Sequence, residues 1–268
     1  MLFVEIAVFL LLGNFIRNSY EEVQVGVLFP IRSAYVDYDP RNWDSCASLE
    51  ENYLNICDSL ALNCVPFHLV DETILANHGS VSNGKLKVGK CSYSMLVIPK
   101  CYVIDKHPEK LLKEFISSGG KILLIDEKPH LLEGEPHDFS YLTSNCTFDD
   151  LLKYAPYKIE SNVKLYSVAR IYNGVKHIML VNISEDKTAT AKVTVDSKSY
   201  CGRFNIETEQ VDFVGENINI PPQDSVILCE YTKGEKNIEN VGQEIILGKG
   251  RYELIDYSSN FLPLDFAE

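Results

Sequence analysis

Two acidic pairs, Asp71-Glu72 and Asp126-Glu127, each close an apolar run that reads as a parallel strand, so four carboxyl groups could meet at one sheet edge. Carboxyl groups held that close raise one another's pKa, and such pairs serve acid and base steps at a glycosidic bond. The plainer reading is that acidic residues after strands cap the turns and helices that follow. A second candidate is Cys101, just past a strand end with His107 nearby, the residue types of a thiol nucleophile and its base. That chemistry needs an elbow flanked by glycines, and Tyr102-Val103-Ile104-Asp105 has none, so Cys101 reads as a structural thiol. The third candidate is the stretch from Arg32 to Trp43, which gathers Arg32, Tyr35, Asp37, Tyr38, Asp39 and the single tryptophan. Aromatic faces flanked by carboxylates suit sugar rings, and they equally suit a surface that meets another domain. The candidate ligand or interface residues are therefore Arg32, Tyr35, Asp37, Tyr38, Trp43, Asp71 and Glu72.

Other chemistries find no support. His68, His78, His130, His137 and His177 lack partners at metal-ligand spacing, and the eight cysteines form no C-x-x-C pair, so no metal is expected. The first strand runs into Pro30-Ile31-Arg32 where a phosphate cradle needs small or glycine-rich residues, so no flavin or nucleotide cofactor is expected. A net charge of −13 with no Lys/Arg cluster argues against nucleic acid. Several cysteines stand where a small apolar residue would serve, as in Val226-Ile227-Leu228-Cys229, which points to free thiols in a reducing compartment.

These residues must be held by an alternation of strand and helix. Val25-Gly26-Val27-Leu28-Phe29, stopped by Pro30, is the central strand, and the stretch after it reads as a loop at the carboxyl edge. Leu49 to Leu62 carries helical spacing with Asp44 or Ser45 as N-cap. Pro66 to Glu72 is a second strand and Gly84 to Gly89 a surface excursion. Ser94 to Ile98 is a third strand, a helix begins at Pro108 and ends at Gly119-Gly120, and Lys121 to Asp126 is a fourth strand. Phe148 to Tyr154 is a closing helix. From about Lys158 the period shortens to that of strands, and Asn173-Gly174 between Val163–Tyr172 and Val175–Ile183 predicts a type I′ hairpin. Strands at 189–195, 203–207, 211–214, 218–220 and 225–231 complete an antiparallel sandwich. The expected domains are 1–156, a parallel α/β unit; 157–233, a small β-sandwich; and 234–268, the start of a further β domain. Met1 to Leu12 reads as a packed helix that lacks the basic start of a signal sequence, so the expected location is the cytoplasm, or outside it if that run is a signal; a membrane span is not expected.

Val27-Leu28-Phe29-Pro30 with Ser33-Ala34-Tyr35, Asp71-Glu72 with Leu75, Gly84-Lys85-Leu86 and Val88-Gly89 before Tyr93, Val97-Ile98-Pro99, and Gly119-Gly120-Lys121 resemble a known arrangement. It is the glutamine-amidotransferase-like, flavodoxin-like domain of large glycoside hydrolases, closest to the α-L-rhamnosidase-like family and more distantly the trimerisation domain of bacterial β-galactosidases. Val181-Asn182 and Asn260 to Asp265 resemble the sandwich that follows it and the entry strand of a jelly-roll module. In such enzymes the catalytic carboxylates belong to a (β/α)8 barrel, so the resemblance implies a flavodoxin-like fold, no catalytic residue in this chain, and a barrel, a carbohydrate or a second copy as partner. Three readings follow: a non-catalytic accessory fragment, a sugar-binding module using Tyr35, Tyr38 and Trp43, and a free-standing thiol amidohydrolase using Cys101.

Overall fold

The run Val25–Phe29 is buried along almost its whole length, as a strand covered on both faces must be. In the computed structural model, which describes residues 2–42, 44–195, 199–213 and 217–232, it is the second strand of a four-stranded parallel sheet. The order is Phe67–Asp71, Val25–Phe29, Met95–Ile98, Lys121–Leu124. Alternation splits the strand between two cores. Val25 and Val27 point to Ile56 and Leu60 of helix α3 (Asp44–Leu62) and to Leu151 of helix α6 (Phe148–Leu152). Leu28 points to Leu75 of helix α4 (Glu72–His78) and to Leu111, Leu112 and Phe115 of helix α5 (Lys106–Ser117). Gly26 shares the Leu28 side, where a Cβ would sit 2.9 Å from a Val70 methyl and 3.2 Å from a Leu96 methyl. The neighbouring strands close over that missing side chain.

Two segments depart from the sequence reading. The stretch read as a loop after Pro30 is a seven-residue helix, α2 (Ile31–Asp37), too short to show a periodic apolar face. Pro30 stands at its N-cap, where the lack of an N–H costs nothing. The excursion around Gly84 is a three-stranded meander, Gly79–Ser82, Lys85–Val88 and Cys91–Tyr93, and it follows α4, which the sequence reading passed over. Its turn residues Asn83 and Gly84 both have positive φ, 52° and 69°, the signature of a type I′ hairpin. Leu86 and Tyr93 of this meander are buried in the Leu28 core. Helix α3 begins at Asp44 itself, so Asp44 lies inside the helix.

The remainder is antiparallel. Asn173 and Gly174, with φ of 50° and 79°, turn the hairpin Leu165–Tyr172 and Val175–Asn182. With Ser225–Thr232, Ser199–Phe204 and Val211–Phe213 these strands form a sheet whose other edge is Ser19–Tyr20, so the segment before the first parallel strand joins the later sheet. Lys158–Ser161, Ala189–Thr194 and Ile218–Ile220 form a facing three-stranded sheet, and Ile178, Leu180, Leu228, Ala189, Ala191 and Ile220 fill the space between the two layers. On the outer face Phe15 of helix α1 (Leu2–Arg17) packs among Tyr172, His177, Phe204 and Cys229. Arg170 holds that helix end by donating to the carbonyls of Ile16 (3.2 Å) and Ser19 (3.1 Å), and it pairs with Glu21. Among the described residues no helix is long and apolar enough to cross a membrane. The domain expected at 234–268 lies outside the described residues.

Asn182 staples the sandwich from within. It is fully buried, its Nδ2 donates to the carbonyls of Lys187 (2.8 Å), Ile220 (3.0 Å) and Pro221 (2.9 Å), and its Oδ1 accepts from the Ser184 amide (3.0 Å). Asn182→Ala strands these groups without water, and about 3 kcal/mol of unfolding free energy should be lost in chemical denaturation. A loss under about 1 kcal/mol would show that the 183–187 turn holds without it.

Candidate functional site

In a parallel sheet the ligand position is the crevice where chain order reverses. Here that point lies between the carboxyl ends of Val25–Phe29 and Met95–Ile98, because the first crossover goes to one side and the next to the other. The chain fills it with its own atoms. Ser33 of α2 is fully buried, and its Oγ accepts from the backbone amides of Tyr102 (2.8 Å) and Val103 (3.2 Å). Paired amides of this kind are the donors an oxyanion or phosphate would use, and a side-chain hydroxyl has taken them.

Cys101 lies beside them, fully buried. Burial pushes its thiol upward, and the charges of Glu72 and Glu127 push it further. A nucleophilic cysteine has the opposite setting, electropositive and accessible. Among the described residues the cysteines other than Cys201 are all free thiols.

The acidic pairs separate. Asp71 caps α4, its Oδ1 accepting from the amides of Thr73 (2.8 Å) and Ile74 (2.9 Å). Glu72 turns inward with 1 % exposure, and neither of its carboxyl oxygens has a hydrogen-bond partner. Burial raises its pKa to about 8; Asp105 and Asp71 add to the rise and Arg32 opposes it. The carboxylate acting across the edge is thus Asp105, which the sequence reading passed over, and the arginine is Arg32, whose Nε lies 3.0 Å from Asp105 Oδ2. The signal that could have found Asp105 is its place directly before Lys106-His107-Pro108, at the N-cap of a helix.

Tyr35 and Tyr38 face outward, 65 % and 52 % exposed. Between α2 and α3 they border an open groove of about 480 Å3 whose walls are Phe29, Ile31, Ala34, Leu49, Tyr53 and Leu54, and whose lip carries Glu50. The groove is almost wholly apolar, and Leu54 beside it is 53 % exposed. Asp37 is half-buried on α2, where its charge faces the Tyr102 hydroxyl, and Asp39 holds a turn by accepting from the Arg41 amide (2.9 Å). Trp43 lies outside the described residues. The six candidates other than Trp43 therefore divide: Tyr35 and Tyr38 border the groove, the Arg32 charge acts on buried Glu72, Asp71 caps α4, and Asp37 stands apart.

No family model matches the chain, and no curated protein matches it. Solved structures do. An exo-carrageenase GH42 from Bacteroides ovatus superposes with a TM-score of 0.52 at 14 % identity, over 78 % of this chain and 29 % of that one. A GH42 β-galactosidase from G. stearothermophilus gives 0.55 at 8 % identity, over 78 % of this chain and 40 % of that one. A β-galactosidase from Bacillus circulans sp. alkalophilus gives 0.53 at 10 % identity, over 82 % and 43 %. The chain has a glycoside-hydrolase-related fold, a multidomain arrangement of parallel α/β and antiparallel β layers, and it spans less than half the length of each of these chains.

The closed crevice is testable. Ser33→Ala leaves two buried amides without an acceptor, so unfolding free energy should drop by about 1–3 kcal/mol. Cys101 should resist iodoacetamide in the native chain at pH 8 and be labelled only in denaturant, as read by peptide mass spectrometry; rapid native labelling would show the crevice to be open.

Proposed function

We propose that this chain is a non-catalytic accessory part of a glycoside hydrolase, in which a flavodoxin-like, amidotransferase-like unit within residues 1–156, apart from the opening segment to Tyr20 that joins the later sheet, and a sandwich over 157–233 pack against a catalytic (β/α)8 barrel, with 234–268 beginning a further β domain. The observation that carries this reading is the pairing of a closed ligand crevice with an open apolar groove on the same sheet edge. A surface of Tyr35, Val36, Tyr38 and Leu54, each more than half exposed, is what a docking face presents before its partner arrives. Likeness to parts of glycoside hydrolase chains supports the class of parent enzyme, and the motifs quoted from the sequence favour the α-L-rhamnosidase-like branch within it. The sheet order 2-1-3-4 is that of flavodoxin-like folds up to its last strand.

The occupant this surface fits is a partner domain that offers apolar side chains with a lysine or arginine at the rim. Glu50 stands on the lip as an exposed carboxylate, and the chain carries a net charge of −13. A second copy would set like charges against each other at the seam, whereas a basic rim would be drawn in. A sugar is a weaker fit, because its hydroxyls need a ring of donors and acceptors that this groove lacks. A cytoplasmic location accords with the free thiols.

The isolated chain should show no turnover of nitrophenyl α-L-rhamnoside or β-galactoside, and no heat on titration with rhamnose- or galactose-containing oligosaccharides. It should bind the apolar dye ANS at the groove, with most of that fluorescence lost in Tyr35→Ser/Leu54→Ser. Turnover abolished by Cys101→Ser would replace this reading with the thiol hydrolase. Oligosaccharide heat abolished by Tyr35→Ala, or a shift of Trp43 fluorescence on adding sugar, would replace it with the sugar-binding module. A concentration-dependent dimer lost in the double variant would make the occupant a second copy.

A further inference from the structure

The groups beneath α2 are not used by the groove, and they form a set of their own. Glu72 is buried in the first turn of α4 with both oxygens unpartnered. The charged and titratable groups facing it come from each element packed around it: Asp71 from the strand end, Arg32 from α2, the Cys101 thiol from the loop after Met95–Ile98, and Asp105 from the N-cap of α5. Glu127 acts on the same thiol from the loop after Lys121–Leu124. Arg32 is the one cation in that set.

Arg32 leans on Asp105. The Nε to Oδ2 separation is 3.0 Å, yet the geometry is off-line, so this buried Nε makes no hydrogen bond. Asp105 has N-cap backbone angles, φ −79° and ψ 158°, but its side chain caps nothing. The guanidinium is therefore ion-paired with Asp105 and acts on Glu72 through its charge alone. The buried Arg32 Nε and the buried Glu72 carboxyl thus both lack hydrogen-bond partners, and opposite charges so placed would pair if Glu72 ionised.

We propose that Glu72, Arg32 and Asp105 form a proton-operated latch on α2, in which neutral Glu72 leaves Arg32 with Asp105 and ionised Glu72 draws the guanidinium inward. Arg32 sits on α2, which carries Tyr35 and is capped by Tyr38, so in this latch its movement would bear on one wall of the groove. That consequence rests on the docking reading, whereas the latch itself does not. The pKa agrees in sign: burial lifts Glu72 from 4.5 to about 8, so the folded chain keeps a proton that the unfolded chain gives up. Stability then falls as pH rises through that window and levels off above it.

The test is an NMR titration of the full chain with labelled glutamate and arginine side chains. The Glu72 Cδ should titrate with a midpoint near 8, and the Arg32 Nε–Hε signal should move with the same midpoint. Glu72→Gln, neutral and nearly isosteric, should hold the Arg32 signal at its low-pH position throughout. Asp105→Asn removes a repelling charge and frees the guanidinium, so the Glu72 midpoint should fall by about one pH unit or more. A Glu72 midpoint below about 6, an Arg32 signal that stays still while Glu72 titrates, or an unmoved midpoint in Asp105→Asn would each overturn the latch. If Glu72→Gln does not fold, the wild-type and Asp105→Asn titrations decide alone. No partner is present in any arm, so failure here leaves the docking reading standing.

Discussion

The structure depends on one constraint, the burial of Val25–Phe29 on both faces. A strand covered on both sides cannot choose which side chains to hide, so each position must fit its own core. Val25 and Val27 meet α3, Leu28 meets α4 and α5, and Gly26 is small because Val70 and Leu96 occupy the space a side chain would need. The strand pairs in register with Phe67–Asp71 on one side and with Met95–Val97 on the other. Every functional feature then follows from what the chain does at the next residue. Pro30 ends the pairing and α2 starts at once, with no loop long enough to leave the crevice open.

That abrupt start places Ser33 and Arg32 where a ligand would otherwise lie. Ser33 takes the two amides, Arg32 reaches Asp105, and the remaining face of α2 is turned out with Tyr35 and Tyr38. The closing of the crevice and the opening of the groove are thus one event. A seven-residue helix has too few positions to bury both faces. Polar residues at 32 and 33 anchor it, and Tyr35 and Val36, each more than half exposed, lie on its outer side.

The central strand, the parallel sheet, α3, α5 and the Asn173-Gly174 hairpin were legible because each has a local signal: an unbroken apolar run, a 3.6-residue period, or a turn dipeptide. Helix α2 was not, since Ile31-Arg32-Ser33-Ala34-Tyr35-Val36-Asp37 is shorter than two periods and its first turn is fixed by the distant amides of Tyr102 and Val103. The meander at 79–93 did carry the signal Asn83-Gly84, outweighed by the polar lysines around it. The site was half legible. Tyr35 and Tyr38 stand out as aromatics in a polar run, but the partner of Arg32 is 73 positions away, a distance no spacing rule spans. The two carboxylates at Asp71-Glu72 look alike in sequence and have opposite fates, one capping a helix and one buried without a donor.

The contrast between those two carboxylates explains why the edge is built as it is. Asp71 is one residue earlier, still extended at ψ 135°, so its side chain can fold back onto the amides of the helix it precedes. Glu72 already has helical backbone, and its longer side chain reaches the sheet edge, where the waiting charges are Asp105 and Arg32. An ionised Glu72 would need N–H donors of the guanidinium, whose Nε already lies 3.0 Å from Asp105, the N-cap residue of α5. Keeping Glu72 neutral lets α2, α4 and α5 converge on one arginine without a buried, unpaired charge beside the partly exposed Arg32–Asp105 pair. The same closure that removes a ligand site therefore fixes the protonation of the edge, and it leaves the outer face of α2 as the part of this sheet edge open to a partner.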